Sequence, residues 1–103
     1  MPRAKKIHIP ERSLPTGSKA RLLWVLAMRF HHRAWIDLED VIKEIKTSAD
    51  TDIRAPDATT GKALPYMKAL RDAKFVERHP HRKDEWRATA RGRQAAAQVQ
   101  QYH

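Results

Sequence analysis

Between Asp37 and Lys46 the chain sets Leu38, Val41, Ile42 and Ile45 at the i, i+3, i+4, i+7 spacing of a single helix face. Asp37, immediately ahead of the stripe, is a suitable N-cap. The opposite face carries Glu39, Asp40, Lys43, Glu44 and Lys46, nearly balanced in charge, which marks a structural helix rather than a phosphate-binding one. A stripe this regular must be buried against other elements. A chain of 103 residues supports one small domain and is too short for two independent cores. There is no cysteine, so neither a disulfide framework nor a thiolate zinc site is available to it.

The partners of this helix follow from the flanking pattern. A first helix is expected from Ser18, a good N-cap, to about Phe30 or His31, with Leu23, Leu26, Ala27 and Phe30 toward the core. Trp24, Val25 and Met28 fall on other faces, so this helix is apolar almost all round and is either central or part of a dimer interface. Thr47 to Ala58, with Pro56 and three Asp, reads as a long polar loop: an ordinary surface connection or an adjustable contact loop. A third helix then runs to about Ala73 and buries Ala63, Met67 and Leu70. Proline in a helix interior costs about 3 kcal/mol, so Pro65 implies a start near Leu64 or a kink.

Phe75-Val76-Glu77-Arg78 and Trp86-Arg87-Ala88 read as two short strands joined by the polar stretch His79 to Glu85, giving a hairpin with a basic tip. Thr89 caps a terminal helix in which Ala95, Val99 and Tyr102 share a face and Gly92 is slightly weakening. Residues 1–17, with Pro2, Pro10 and Pro15 among Arg3, Lys5, Lys6 and Arg12, are expected to form a flexible basic arm ahead of a domain over 18–103. The fold class is α+β, mostly α: a three-helix core, a β-hairpin and a C-terminal helix.

The formal net charge is +9, from 21 Lys and Arg against 12 Asp and Glu, and a polyanion is its natural partner. Residues 59–103 hold ten basic and four acidic residues and 1–12 hold four and one, whereas 47–58 hold one and three. The positive field therefore sits in the C-terminal half and the N-terminal arm. The longest apolar run, Leu22 to Met28, falls far short of the roughly 20 residues that a bilayer requires, and no membrane partner is expected. With no apolar signal segment, a cytoplasmic, nucleoid-associated location is the expectation.

From Leu70 the chain reads Leu-Arg-Asp-Ala-Lys-Phe-Val-Glu-Arg to Arg78, and from Trp86 it reads Trp-Arg-Ala-Thr-Ala-Arg-Gly-Arg to Arg93. These segments resemble winged-helix transcription regulators of the MarR and PadR type. Leu70, Phe75, Val76, Arg78, Trp86, Thr89 and Gly92 match the family's helix end, turn, hairpin and following helix start, and the likeness extends from about Ser18 to Tyr102. The resemblance implies a winged helix-turn-helix that binds double-stranded DNA through its third helix and basic wing, often as a homodimer, here through the first and last helices. Thr59, Thr60, Lys62, Tyr66, Lys68 and Arg71 are the candidates on or near the third helix, and Arg78, His81, Arg82, Lys83 and Arg87 those of the wing. Arg3, Lys5 and Lys6 of the arm complete the set. Lys74 stands where the family usually has Gly, and Leu64 and Pro65 occupy positions that usually carry polar groups facing bases.

Two other functions compete with transcription regulation. One is an accessory factor of recombination or replication in a mobile element, which bends DNA; the other is a winged helix that binds proteins. The pairs His31-His32 and His79-x-His81 raise a metal reading, but wing histidines contacting phosphate are the simpler expectation, and no cofactor is expected. Trp24, Trp35 and Trp86 either fill the core or stack on unpaired bases, and each lies in an apolar run, which favours the core. No nucleophile triad, phosphate-binding glycine loop or carboxylate pair is present, and three glycines are few for a nucleotide loop, so no enzyme is expected.

Overall fold

The computed structural model describes residues 8–31 and 33–99. Within them the chain forms four α-helices and a three-stranded antiparallel sheet, a small α+β fold. After a short 3-10 turn at Glu11–Ser13 come α1 (Gly17–Met28), β1 (Ile36–Asp37), α2 (Leu38–Thr47), α3 (Thr60–Asp72), β2 (Val76–Arg78), β3 (Glu85–Ala88) and α4 (Ala90–Gln98). The sheet order is β1-β3-β2.

Helix α1 is the axis of the core. Ala20, Leu22, Leu23, Trp24, Val25, Leu26 and Ala27 are all buried, and α1 packs against α2, α3, α4 and β3. The apolar circumference that raised the prospect of a dimer seam is thus consumed within one chain, and of its large apolar residues Met28 alone is exposed. The helix starts one residue earlier than Ser18, with Thr16 as N-cap, and ends at Met28 rather than Phe30. Phe30 still packs against the core from the turn that follows.

Helix α2 forms as the stripe dictates. Leu38, Val41, Ile42 and Ile45 are buried, and the Asp37 carboxylate accepts the Glu39 amide at 2.9 Å. The segment before it was expected only to carry a cap, yet Ile36 and Asp37 pair with Trp86 and Glu85 as a third strand. Two residues are too few to display a period of two, so sequence pattern had nothing to register. The connection over 48–59 is ordered from within: Ile53 is fully buried, the Ser48 hydroxyl accepts the Asp50 amide, and Asp50 accepts the Asp52 amide.

Helix α3 runs from Thr60 to Asp72 with Pro65 inside it, so that of the two alternatives a start near Leu64 is corrected. Thr59 caps it, its hydroxyl accepting the Lys62 amide at 3.1 Å, and Ala63, Met67 and Leu70 are buried on the inner side. Pro65 lies on the exposed side, and the carbonyl it deprives of an N–H belongs to exposed Gly61, within reach of water. At the far end the Phe75 amide donates to Leu70 O and the Lys74 amide to Arg71 O, the two bonds of a Schellman cap. Lys74 takes the left-handed position of that cap with φ 70°. It therefore adopts the conformation for which glycine is usually chosen.

The hairpin pairs Val76 with Ala88, Glu77 with Arg87 and Arg78 with Trp86. Trp86, on the central strand, is fully buried, and Trp24 is nearly so, as a core role requires. The Phe75 carbonyl accepts the Thr89 amide at 3.0 Å, while the Thr89 hydroxyl caps α4 by accepting the Gly92 amide at 3.0 Å. Gly92 packs so closely here that a Cβ would stand 1.8 Å from the Phe75 carbonyl oxygen. This glycine, expected only to weaken the helix, is required by the contact.

The arm expected over 1–17 is corrected for its second half. Ile9 is fully buried, its amide donates to Gln98 Oε1 at 3.2 Å, and its carbonyl accepts from Gln98 Nε2 at 2.9 Å. An apolar anchor and a two-point clamp hold this segment against α4. Arg3, Lys5 and Lys6 lie outside the described residues, as does Tyr102.

Two substitutions should move stability in opposite directions. Lys74→Gly removes a left-handed side-chain penalty and should stabilise by about 0.5–1 kcal/mol after the entropic cost of glycine in the unfolded chain. Gly92→Ala must displace backbone and should destabilise by about 2–3 kcal/mol. Urea unfolding of the two variants beside the parent chain measures both.

Candidate functional site

The exposed side of α3 presents Gly61, Lys62, Pro65, Tyr66, Lys68 and Ala69. Leu64 does not belong to it, being half-buried against the core, so Pro65 alone of the two apolar residues faces outward. Small side chains here allow another surface to approach the helix backbone. Lys68 is exposed, Lys62 stands 4.0 Å from Asp57, and Arg71 stands 3.5 Å from Asp72. Tyr66 is 41% exposed, the largest apolar-bodied side chain on this face.

Beyond the C-terminal end of α3, Arg71, Lys74, Arg78, His79 and Pro80 line a groove of about 540 Å³ together with Glu77 and Thr89. Its curvature comes from the Schellman cap, which turns the chain from helix to strand in three residues and leaves Lys74 at the bend. Arg78 is held firmly: its guanidinium meets the Asp84 carboxylate at 2.9 Å and lies 4.9 Å from the Trp86 ring centroid. The tip beyond it is built around His79. Its Nδ1 accepts the amides of His81 at 3.0 Å and Arg82 at 2.9 Å, and its ring meets Trp35 edge-on at 4.7 Å. This presents His81, Arg82 and Lys83 outward, all exposed, with Arg82 3.4 Å from Glu85.

Arg87 separates from this set. Along β3 Trp86 and Ala88 point inward, so Arg87 points to the other face of the sheet, where it pairs with Glu77 and stacks 4.2 Å from the Trp35 ring centroid. There it lines a different hollow of about 350 Å³ with Arg33 and Arg93. Thr59, Lys62 and Tyr66 also line a further hollow of about 310 Å³ at the start of α3. Thr60 is half-buried and lines a separate hollow against Glu39, Lys43 and Lys46 of α2.

The structure thus joins Arg71 and Arg78 in one groove and sets Lys68 on the neighbouring helix face, with Arg82 and Lys83 at the hairpin tip. Sequence reasoning missed Lys74 as a groove residue and had His79 only as a wing histidine expected to contact phosphate. The match of Lys74 to a glycine position was the signal for the bend, but a side chain at a turn was read as a departure rather than as a contributor. Among the described residues no group of three His, Asp or Glu is arranged to hold a metal ion, and no helix is long and apolar enough to cross a membrane. No protein-family model, curated protein or solved structure matches the chain.

The bond pattern at the hairpin tip fixes one tautomer. Neutral His79 should carry its proton on Nε2, because Nδ1 accepts two amides. Long-range proton–nitrogen correlation spectra above neutral pH should show the Nε2–H form, and a protonated Nδ1 in the neutral ring would contradict the arrangement.

Proposed function

We propose that this chain binds double-stranded DNA, with the exposed side of α3 in the major groove and the basic hairpin as a wing along the adjacent phosphates. The observation that carries the reading is the cationic groove of Arg71, Lys74 and Arg78 between the end of α3 and the hairpin, beside an exposed helix face that carries Lys62, Tyr66 and Lys68. A duplex presents phosphates at the edge of a groove wide enough to admit a helix, and this surface offers a helix and a bordering row of cations. The order helix, strand, helix, helix, hairpin, helix supports a winged-helix reading of the fold, and with it the likeness to MarR- and PadR-type regulators. The 12-residue span 48–59 between α2 and α3 is longer than the turn of a simple helix-turn-helix.

Within this reading the residues divide by role. Arg71, Lys74, Arg78, Arg82 and Lys83 contact phosphate and fix the register. Lys62, Tyr66 and Lys68 face the bases or the groove edge. Arg87, turned to the other side of the sheet, orders the wing through Glu77 and Trp35 and does not touch the same duplex. The small number of side chains able to reach base edges favours a modest sequence preference, which suits an architectural factor as well as a regulator.

Binding to a 30-base-pair duplex, to single strand and to duplex RNA, each measured by fluorescence anisotropy across salt, tests the proposal. Engagement of about five phosphates predicts a log–log salt slope of about −4 to −5 on duplex DNA. The Arg82→Ala/Lys83→Ala variant should weaken binding and lower the slope by nearly two, while Arg87→Ala should leave the slope unchanged. Absence of duplex binding at low salt would reject the reading and favour a protein-binding role, and tighter binding to single strand would reject the groove geometry.

A further inference from the structure

The exposed side of α3 is divided lengthwise. Gly61, Pro65 and Ala69, four residues apart, fall on one line along the helix, opposite the buried Ala63, Met67 and Leu70, and all three are exposed. None of these three carries a side-chain hydrogen-bond donor, acceptor or charge. Lys68 flanks the line on one side, and Lys62 and Tyr66 flank it on the other. Asp72 comes next on the same side in the last turn, 3.5 Å from Arg71, so the uncharged line is confined to residues 61–69. The helix is thin at the start of this line, where a Cβ on Gly61 would meet nothing within 4 Å.

A helix whose crest bears long polar side chains recognises bases by hydrogen bonds, and this crest has none to offer. The floor of the major groove presents donors and acceptors at every base pair, but a single kind of nonpolar group, the C5-methyl of thymine. A base-edge donor or acceptor covered by Gly61, Pro65 and Ala69 loses water and gains no side-chain partner. A methyl group covered by the same residues leaves water favourably. The flanking Lys62 and Lys68 are long enough to reach the groove edges, where phosphates carry no sequence information directly.

We infer that α3 selects a duplex by the C5-methyl groups of its pyrimidines, with Pro65 and Ala69 as the specificity-determining residues and Gly61 allowing the close approach. Thymine supplies that methyl at an A·T pair, and 5-methylcytosine supplies the same group at a G·C pair. The chain therefore favours thymine-rich duplex and binds a cytosine-methylated duplex more tightly than its unmethylated counterpart. This specificity rests on the proposed duplex binding and names the base feature that the α3 surface recognises.

The test is fluorescence anisotropy of the full chain against 30-base-pair duplexes of two sequences. An A·T-rich sequence carries either thymine or deoxyuridine, which lacks only the methyl, and a G·C-rich sequence carries either cytosine or 5-methylcytosine. Covering two methyl groups, each worth about 4-fold, predicts thymine over deoxyuridine by ~10-fold or more, and 5-methylcytosine over cytosine in the same sense. Pro65→Gln/Ala69→Gln should bring both ratios to within about 2-fold while the salt slope is kept, because the phosphate contacts are untouched. Pro65→Ala, which stays nonpolar, should retain both preferences. Each variant removes a proline from a helix interior, so the fold is kept, and circular dichroism checks this. Equal binding of the thymine and deoxyuridine duplexes would overturn the specificity and leave duplex binding standing. So would a preference that survives the double glutamine variant, or a thymine preference without a 5-methylcytosine preference, which points to duplex stiffness. Absence of binding to every duplex would reject duplex binding itself, and the specificity with it.

Discussion

The carbonyl of Phe75 is the point on which the relative placement of helix and hairpin depends. It accepts from the Thr89 amide at 3.0 Å, and Gly92 is pressed against it with no room for a Cβ. The Thr89 hydroxyl donates to Lys74 O at 2.6 Å and accepts the Gly92 amide, so one side chain closes the end of the α3 turn and opens α4. The whole hairpin is the chain that lies between these two tied ends. Loosening the tie would let β2 and β3 move away from α3, and the groove between them would lose its wall.

The core explains why such a tie suffices. Trp86 and Ala88 of β3 face inward onto α1, which already receives α2, α3 and α4, and Val76 is buried on β2, which packs against α3, so the sheet is anchored by burial on one side and by the Phe75 bonds at its root. The outer side of the sheet is free to be polar, and the alternation along β3 sends Glu85 and Arg87 there. Ile9 and Gln98 close the opposite end of α4. Among the described residues Met28 and Tyr66 are the large apolar side chains left exposed, and the cationic surfaces are the main outward feature.

Much of this was legible in the sequence because it is written at helical period. The α2 stripe, the buried set Ala63, Met67 and Leu70, and the caps Asp37 and Thr89 all appear as expected, since each depends on residues a few positions apart. What escaped depends on contacts between distant segments. The pairing of Ile36 with Trp86 spans half the chain, Ile9 is buried where Gln98, 89 positions away, clamps its backbone, and Ile53 anchors a loop whose neighbours are polar. Gly92 and Lys74 were both noticed: Lys74 as standing at a glycine position, which its left-handed φ bears out, and Gly92 as a weak helix former, whereas its tertiary packing decides it. For the candidate site, the identity of the cations was legible but their sides were not. Arg87 and Arg78 occupy neighbouring strands, and only the register shows that they face apart.

Amide chemical-shift mapping with a short duplex most directly tests whether the helix face and hairpin act as one DNA-binding surface. The account predicts that shifts concentrate on Gly61, Lys62, Tyr66, Lys68 and Ala69 of α3 and on residues 74 and 78–84, with Arg87 and the outer face of the sheet undisturbed. Shifts confined to α4 or to the Arg33 and Arg93 side, or none at a concentration where binding is otherwise detected, would contradict it.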